Sequence, residues 1–349
     1  PASILPLLQA REAFAGHTWS AAPMLAGSPP PRGPAREVTS PADRSRPVGK
    51  VHDATPEEVS AALEAAQGGF EAWSQQPVAG RAGILRRIAD LYESHIAELS
   101  AIATHEAGKT VLDGIAEVRE AVDFLRYYAN EAERLEEEAP GTPCGIFVCI
   151  SPWNFPLAIF TGQIAAALAA GNAVVAKPAE QTPLIAARAV ALMREAGLPD
   201  DALQLLPGDG PTVGGPLTSD PRIGGVCFTG STEVAQIIHR ALAENAGPDA
   251  VLIAETGGLN AMIVDSTALT EQAVRDIVLS SFQSAGQRCS ALRMLYVQEE
   301  ASQRLLEMLH GAMDALVIGD PWRLDTDVSP VIDAEAQAGI DSYVGTQQQ

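Results

Sequence analysis

The sequence is poor in aromatic residues, in positive charge and in cysteine. Aromatic residues make up 5% of its 349 positions. Lys and Arg number 23 against 44 Asp and Glu, a formal net charge of −21. That balance argues against nucleic acid or an anionic membrane surface as partner. The four cysteines are Cys144, Cys149, Cys227 and Cys289. They form no CxxC pair and no histidine cluster lies near them, so no metal site is expected. Cys144, Cys149 and Cys227 lie in or beside apolar runs and read as packed thiols. The pattern suits a reducing, cytoplasmic compartment. No apolar run reaches the roughly 18 residues of a membrane span. The nearest, 159–176, is broken by Gly162, Gln163, Gly171 and Asn172. No secretory signal and no internal repeat are expected.

What is present is apolar and chemically patterned. The chain is 46% hydrophobic, enough for a sizeable core, and its length suggests two or three domains. Residues 1–36 are rich in proline, with Pro29, Pro30 and Pro31 in a row, and read as an irregular arm or linker. A first residue of Pro rather than Met reads as a processed or excised piece. Thr55-Pro56-Glu57-Glu58 carries helix-start signals. Further helices are expected over 80–107 and 114–138. In the latter, Val118, Ala121, Val122 and Leu125 form a stripe that reads as core packing.

From Gly145 the rhythm becomes α/β. Apolar strand runs fall at 146–150, 173–176, 203–206, 225–228, 251–254 and 261–264, with helices near 157–170, 182–196 and 231–245. Short buried strands separated by helices predict a parallel sheet covered on both faces. Such sheets bind ligands at the carboxyl ends of their strands. A second unit starts near Gly257, with a helix over 270–285, a strand over 293–298 and a helix to about 316.

Chemistry collects at the strand ends. Ser151-Pro152-Trp153-Asn154-Phe155-Pro156 follows the first strand. Its prolines stiffen a turn that can aim the Asn154 amide, an uncharged donor suited to an oxyanion; a turn Asn bonding its own backbone is the equal alternative. Lys177 and Glu180 can grip the hydroxyls of a ribose, where the carboxylate disfavours a 2′-phosphate; a solvated ion pair is the competing reading. Gly230-Ser231 opens a helix whose free N–H groups can receive a pyrophosphate. It is not a GxGxxG fingerprint, and an ordinary Ser-capped helix explains it as well. Glu255 precedes Thr256-Gly257-Gly258, and Cys289 follows Gly286-Gln287-Arg288. A thiol and a separate carboxylate are what a two-step aldehyde oxidation needs: one forms the covalent adduct, the other activates the water that removes it. The plainer readings are a strand-end acid bonded to backbone and an inert cysteine, though the polar neighbours of Cys289 fit the latter poorly.

Taken in order, Ser151–Pro156, Lys177 to Glu180, Gly230-Ser231, Glu255–Gly258 and Gly286–Ser290 resemble the aldehyde dehydrogenase superfamily. The longer runs Val148–Gln163, Ala254–Ala261 and Gly286–Arg293 resemble more closely its L-glutamate-γ-semialdehyde dehydrogenase branch, found within bacterial proline utilization A, and the resemblance runs from about residue 37 to 335. It implies an aldehyde dehydrogenase fold: an NAD-binding domain with a Rossmann-like doubly wound parallel sheet over 37–256, and a catalytic domain over 257–349. It implies Cys289 as nucleophile, Asn154 as oxyanion donor and Glu255 as hydrolytic base. Ile150, Pro152, Trp153, Lys177, Glu180, Gly230 and Ser231 would hold NAD. Phe155 and Phe282 would flank the aldehyde chain, and Arg288 and Ser290 would meet its α-carboxylate. It further implies an upstream proline dehydrogenase partner in the same parent chain, a homo-oligomeric parent and no nucleic-acid contact through this part. Relatives carry Gly at positions 235 and 329, where this chain has Ala235 and Ser329. The family pattern continues past residue 349, which leaves the catalytic domain incomplete. An aldehyde dehydrogenase for another substrate, or a non-catalytic NAD-binding fragment, are the alternatives.

Overall fold

The computed structural model describes residues 4–27 and 29–347. Its centre is a five-stranded parallel sheet built from β4 (Ile146–Ile150), β5 (Ala173–Lys177), β6 (Leu203–Leu205), β7 (Ile223–Gly230) and β8 (Val251–Thr256). They lie in the order β6-β5-β4-β7-β8. Strand alternation sends Phe147, Cys149, Val174 and Ala176 to one face, against the helices Val78–Ser94, Val111–Glu138 and Ala158–Ala169. Ile146, Val148, Ala173 and Val175 face the other way, beneath Pro56–Ser74. Both faces are covered, which is why these strands read as unbroken apolar runs.

The order reverses beside β4. The chain moves outward from β4 to β5 and β6, then returns to place β7 and β8 on the opposite side. Register aligns the strand ends there: Ile150 pairs with Lys177 on one side and Phe228 on the other. The loops carrying Asn154 and Ser231 therefore leave neighbouring strands at one end of the sheet, at its topological switch point.

Three expectations about secondary structure change in the structure. Residues 1–36 are not irregular throughout: Leu5–Arg11 is helical, and β1 (Trp19–Ala21) pairs with β3 (Pro47–His52), whose other edge pairs with β2 (Ala35–Thr39). Met24 also bridges Leu205, so the segment extends the main sheet at β6. Its structure comes from docking, which proline content alone does not reveal. The helix expected over 80–107 is two, Val78–Ser94 and Ile96–Ala107. The Ser94 hydroxyl and the His95 ring both bond the Leu91 carbonyl, at 2.8 and 2.9 Å, and compete with the helical ladder there. Last, 261–264 does not join the main sheet. β9 (Asn260–Val264) pairs in parallel with β10 (Leu292–Val297) as a separate ribbon over Val264, Ile277, Leu305 and Leu309. The thiols also differ from expectation in one case: Cys149 is buried and Cys227 half-buried, but Cys144 is exposed.

The N-terminal helix is tied to the far end of the chain through aromatic contacts. The Arg11 guanidinium lies 4.2 Å from the Trp322 ring centroid, and the His105 ring stacks on the same indole at 4.5 Å. Burial first, and the Arg46 charge second, push the His105 pKa down to about 4. The unfolded value is about 6.5. The folded chain therefore holds fewer protons at this site than the unfolded chain between those values. Its contribution is fully present above the unfolded pKa and is lost as pH falls toward 4, by at most about 3 kcal/mol. Urea unfolding at pH 7 and pH 5 should show a smaller acid loss for His105→Gln than for the parent chain. Equal losses in the two would assign the acid sensitivity elsewhere. Among the described residues no helix is long and apolar enough to cross a membrane.

Candidate functional site

The helix Thr270–Phe282 ends in a left-handed turn. Ser284 and Ala285 have φ of 54° and 56°, and Gly286 has φ of 69°. Two successive non-glycine residues in this region store roughly 1–3 kcal/mol each, so the surroundings must hold them. A Cβ at Gly286 would sit 2.7 Å from the Ser281 carbonyl, so only glycine passes there. The turn lifts Cys289 to an exposed position just before β10. Asn260 holds it from below, its amide donating to the Cys289 carbonyl at 2.7 Å and to that of Ala291 at 3.0 Å.

Cys289 faces a cleft of about 1030 Å³ between the sheet end and this second unit. Pro152, Trp153 and Asn154 line it from the β4 loop, Gly230 and Ser231 from the β7 loop, and Thr256 and Gly257 from the end of β8. Phe282 and Arg288 line it from the thiol turn. The structure thus brings together most of the residues singled out in the sequence. The Asn154 amide donates to the Gln287 carbonyl at 3.0 Å, which leaves its second N–H for another acceptor. Ser231 caps the helix Thr232–Asn245 by accepting from the Val234 N–H at 3.2 Å.

Other candidates stand apart from the cleft wall. Ile150 lies at the base of the loop, its carbonyl accepting from Gln163. Phe155 lies under the Lys109 ammonium, 4.8 Å from the ring centroid. Ser290 is exposed beyond the wall. Glu255 is exposed at the end of β8, one residue before the wall begins. With burial as the larger cause, its charge helps push the Cys227 thiol up to about 11, which keeps that thiol protonated and unreactive. Lys177 and Glu180 lie at the end of β5, with the ammonium 3.4 Å from the carboxylate. Lys177 is buried and its pKa is lowered by that burial, while Glu180 stays partly open.

A polar layer that no sequence motif marks lies beneath the cleft. Lys109 is 4% exposed, and its ammonium donates to the Asn154 carbonyl and to Ser284 Oγ at 3.2 Å. It pairs with Glu117 at 3.4 Å. Asp113 accepts from the Gln283 amide at 2.9 Å and from Ser284 Oγ at 3.2 Å. The Gln287 side chain donates to the Pro330 carbonyl and accepts from the Ile332 N–H. No local pattern marks these residues, because their partners lie far along the chain.

Comparison with known proteins agrees with this arrangement. Residues 30–349 match the aldehyde dehydrogenase family. The chain is 55% identical over 331 residues to the bifunctional protein PutA of Escherichia coli (strain K12), covering 94% of this chain and 25% of that one. It is 36% identical over 320 residues to the 1-pyrroline-5-carboxylate dehydrogenase of Bacillus mycoides (strain KBAB4), covering 87% of this chain and 62% of that one. The chain thus spans about a quarter of the PutA relatives. Among solved structures, the Thermus 1-pyrroline-5-carboxylate dehydrogenase with bound NAD superposes with a TM-score of 0.92 at 34% identity, over 99% of this chain and 69% of that one. A PutA from Bdellovibrio bacteriovorus gives 0.94 at 30% identity, over 99% and 38%. With an exposed thiol turn set against the switch point of a parallel sheet, and these likenesses along almost its whole length, the chain belongs to the aldehyde dehydrogenase family.

Proposed function

We propose that this chain carries the NAD-dependent oxidation of L-glutamate γ-semialdehyde to L-glutamate through a thioester on Cys289. The observation that supports it most is the shared cleft, where Cys289, Asn154, Gly230 and Ser231 meet. The residues present fit a dinucleotide. The Thr232–Asn245 helix turns its free N–H groups toward the cleft, where a pyrophosphate gains from them. The partly open Glu180 beside the buried Lys177 suits ribose hydroxyls and repels a 2′-phosphate, favouring NAD over NADP. NAD, when bound, supplies the hydride acceptor.

The chain's own residues then have these tasks. The Cys289 sulfur attacks the aldehyde carbon, and the carbonyl oxygen takes negative charge. The free N–H of Asn154 and the Cys289 backbone N–H stabilise that charge. Loss of hydride from the carbon restores the carbonyl as a thioester. Glu255 takes a proton from the water that attacks it, and glutamate leaves as the thiolate is regenerated. This step requires the exposed Glu255 side chain to reach from the end of β8 to Cys289. Pro152 and Trp153 wall the cofactor side, with Ile150 behind them. Phe282 packs on the aldehyde chain with Phe155 beneath, and Arg288 and Ser290 receive the α-carboxylate. We also read the chain as part of a cytoplasmic, homo-oligomeric parent with a proline dehydrogenase unit upstream.

Comparing turnover of the semialdehyde with that of simple aliphatic aldehydes tests the substrate. A preference for the aliphatic aldehydes would overturn it. Lys177→Ala should raise the Kd for NAD by roughly tenfold or more, as expected for a lost hydrogen bond to a charged group. Fluorescence titration checks this, and an unchanged Kd would remove Lys177 from the cofactor site.

A further inference from the structure

We propose that Lys109 is a positioning residue that sets the distance between the Asn154 amide and the Cys289 turn. This inference rests on the function proposed above. Lys109 belongs to neither loop. It follows the left-handed Gly108 that ends the helix Ile96–Ala107. From there its ammonium reaches both the Asn154 loop and the thiol turn, through the Asn154 backbone carbonyl and Ser284 Oγ.

Each contact bears on a group that must be held. Asn154 sits on a loop between two prolines and has no helix or strand of its own. Ser284 is the first of the two strained residues of the thiol turn. Its hydroxyl is bound twice, accepting from Lys109 and donating to Asp113. The lysine is anchored in turn. Glu117, 2% exposed, pairs with it and uses its other oxygen to accept from the Leu157 and Ala158 N–H groups at 3.1 and 3.0 Å. Those two residues start the helix that follows the Asn154 loop. One buried cation and its carboxylate therefore fix the loop at two points and the turn at a third. The space among Lys109, Asn154, Ser284 and Gln287 is about 10 Å³, room for one water at most. Neither loop can drift into it. An oxyanion donor loses most of its value when it moves by about 1 Å.

The test compares the chain with Lys109→Met, which keeps the length of the stem and removes the charge. We expect kcat to fall roughly 10²–10³-fold, as when an oxyanion donor is lost. The KM for NAD should stay within about twofold, since no dinucleotide contact changes. Amide hydrogen exchange should speed up in peptides spanning 152–157 and 283–289 and stay slow in the Val78–Ser94 helix. In an Asn154→Ala background, Lys109→Met should cost less than about tenfold, because the lysine acts largely through that residue. Full additivity of the two, or unchanged kcat and exchange in Lys109→Met, would overturn the proposal. Should Lys109→Met fail to fold, Ser284→Ala removes one arm alone. It should lower kcat and loosen 283–289 without touching the KM for NAD, and unchanged values there would also overturn it. Should the parent chain not oxidise the semialdehyde, the functional reading fails. The exchange comparison then decides the positioning claim without turnover.

Discussion

The Cys289→Ala variant should form no thioester with L-glutamate γ-semialdehyde and should produce NADH at least ~10⁴-fold more slowly than the parent chain. The argument is chemical and positional. Cys289 is the exposed thiol on the wall of the cleft, whereas Cys149 is buried with its pKa well raised by that burial and Cys227 is held near 11. Neither of those two forms a useful thiolate near neutral pH. Cys144 is exposed but precedes β4, at the opposite end of that strand from the Asn154 loop. No second thiol is therefore placed to substitute. Single-turnover NADH absorbance, with both variants checked for folding by circular dichroism, decides the matter. A stoichiometric burst in the parent that vanishes in the variant supports the nucleophile. A burst retained in the variant would assign the chemistry to another group. No burst in either folded chain would show this piece to be a binding unit without turnover.

The second large effect is on stability. Trp73→Ala should cost about 3–5 kcal/mol. Trp73 is 1% exposed and reaches across from the helix Pro56–Ser74 to donate its indole N–H to the Leu168 carbonyl at 3.0 Å. Truncation leaves a large cavity and removes one of the bonds to the Leu168 carbonyl, which keeps the Gly171 N–H at 3.0 Å. Trp73→Phe keeps most of the packing and loses only the N–H, so its cost should be about 1–2 kcal/mol. Urea midpoints at constant slope separate the two. Equal costs for Ala and Phe would mean that the hydrogen bond, and not the volume, holds this junction.

These effects differ in how far the sequence foretold them. The strands β4, β5 and β7 were legible because a strand buried on both faces has to be apolar along its whole length. The helix Pro56–Ser74 was legible because its capping box, Thr55 with Glu58, is a local device complete within four residues. Cys289, Asn154 and Ser231 were legible because rigid turns at strand ends are built from proline, glycine and small polar residues. Trp73 carried no such mark; its partner Leu168 lies 95 positions away.

The sequence by itself determined the period of the elements, the parallel α/β class and the chemical types of the candidate site groups. Each of these depends on residues within a turn or two of one another. Tertiary structure alone decided which element lies beside which. It sent β9 to pair with β10 rather than with the main sheet, docked the proline-rich arm on β3 and β6, and left Glu255 outside the cleft wall, one residue before Thr256. It also placed Lys109 under two loops 45 and 175 positions further along the chain. A buried cation is stable only where its partners converge, and that convergence is set by packing between distant segments, not by the residues beside it.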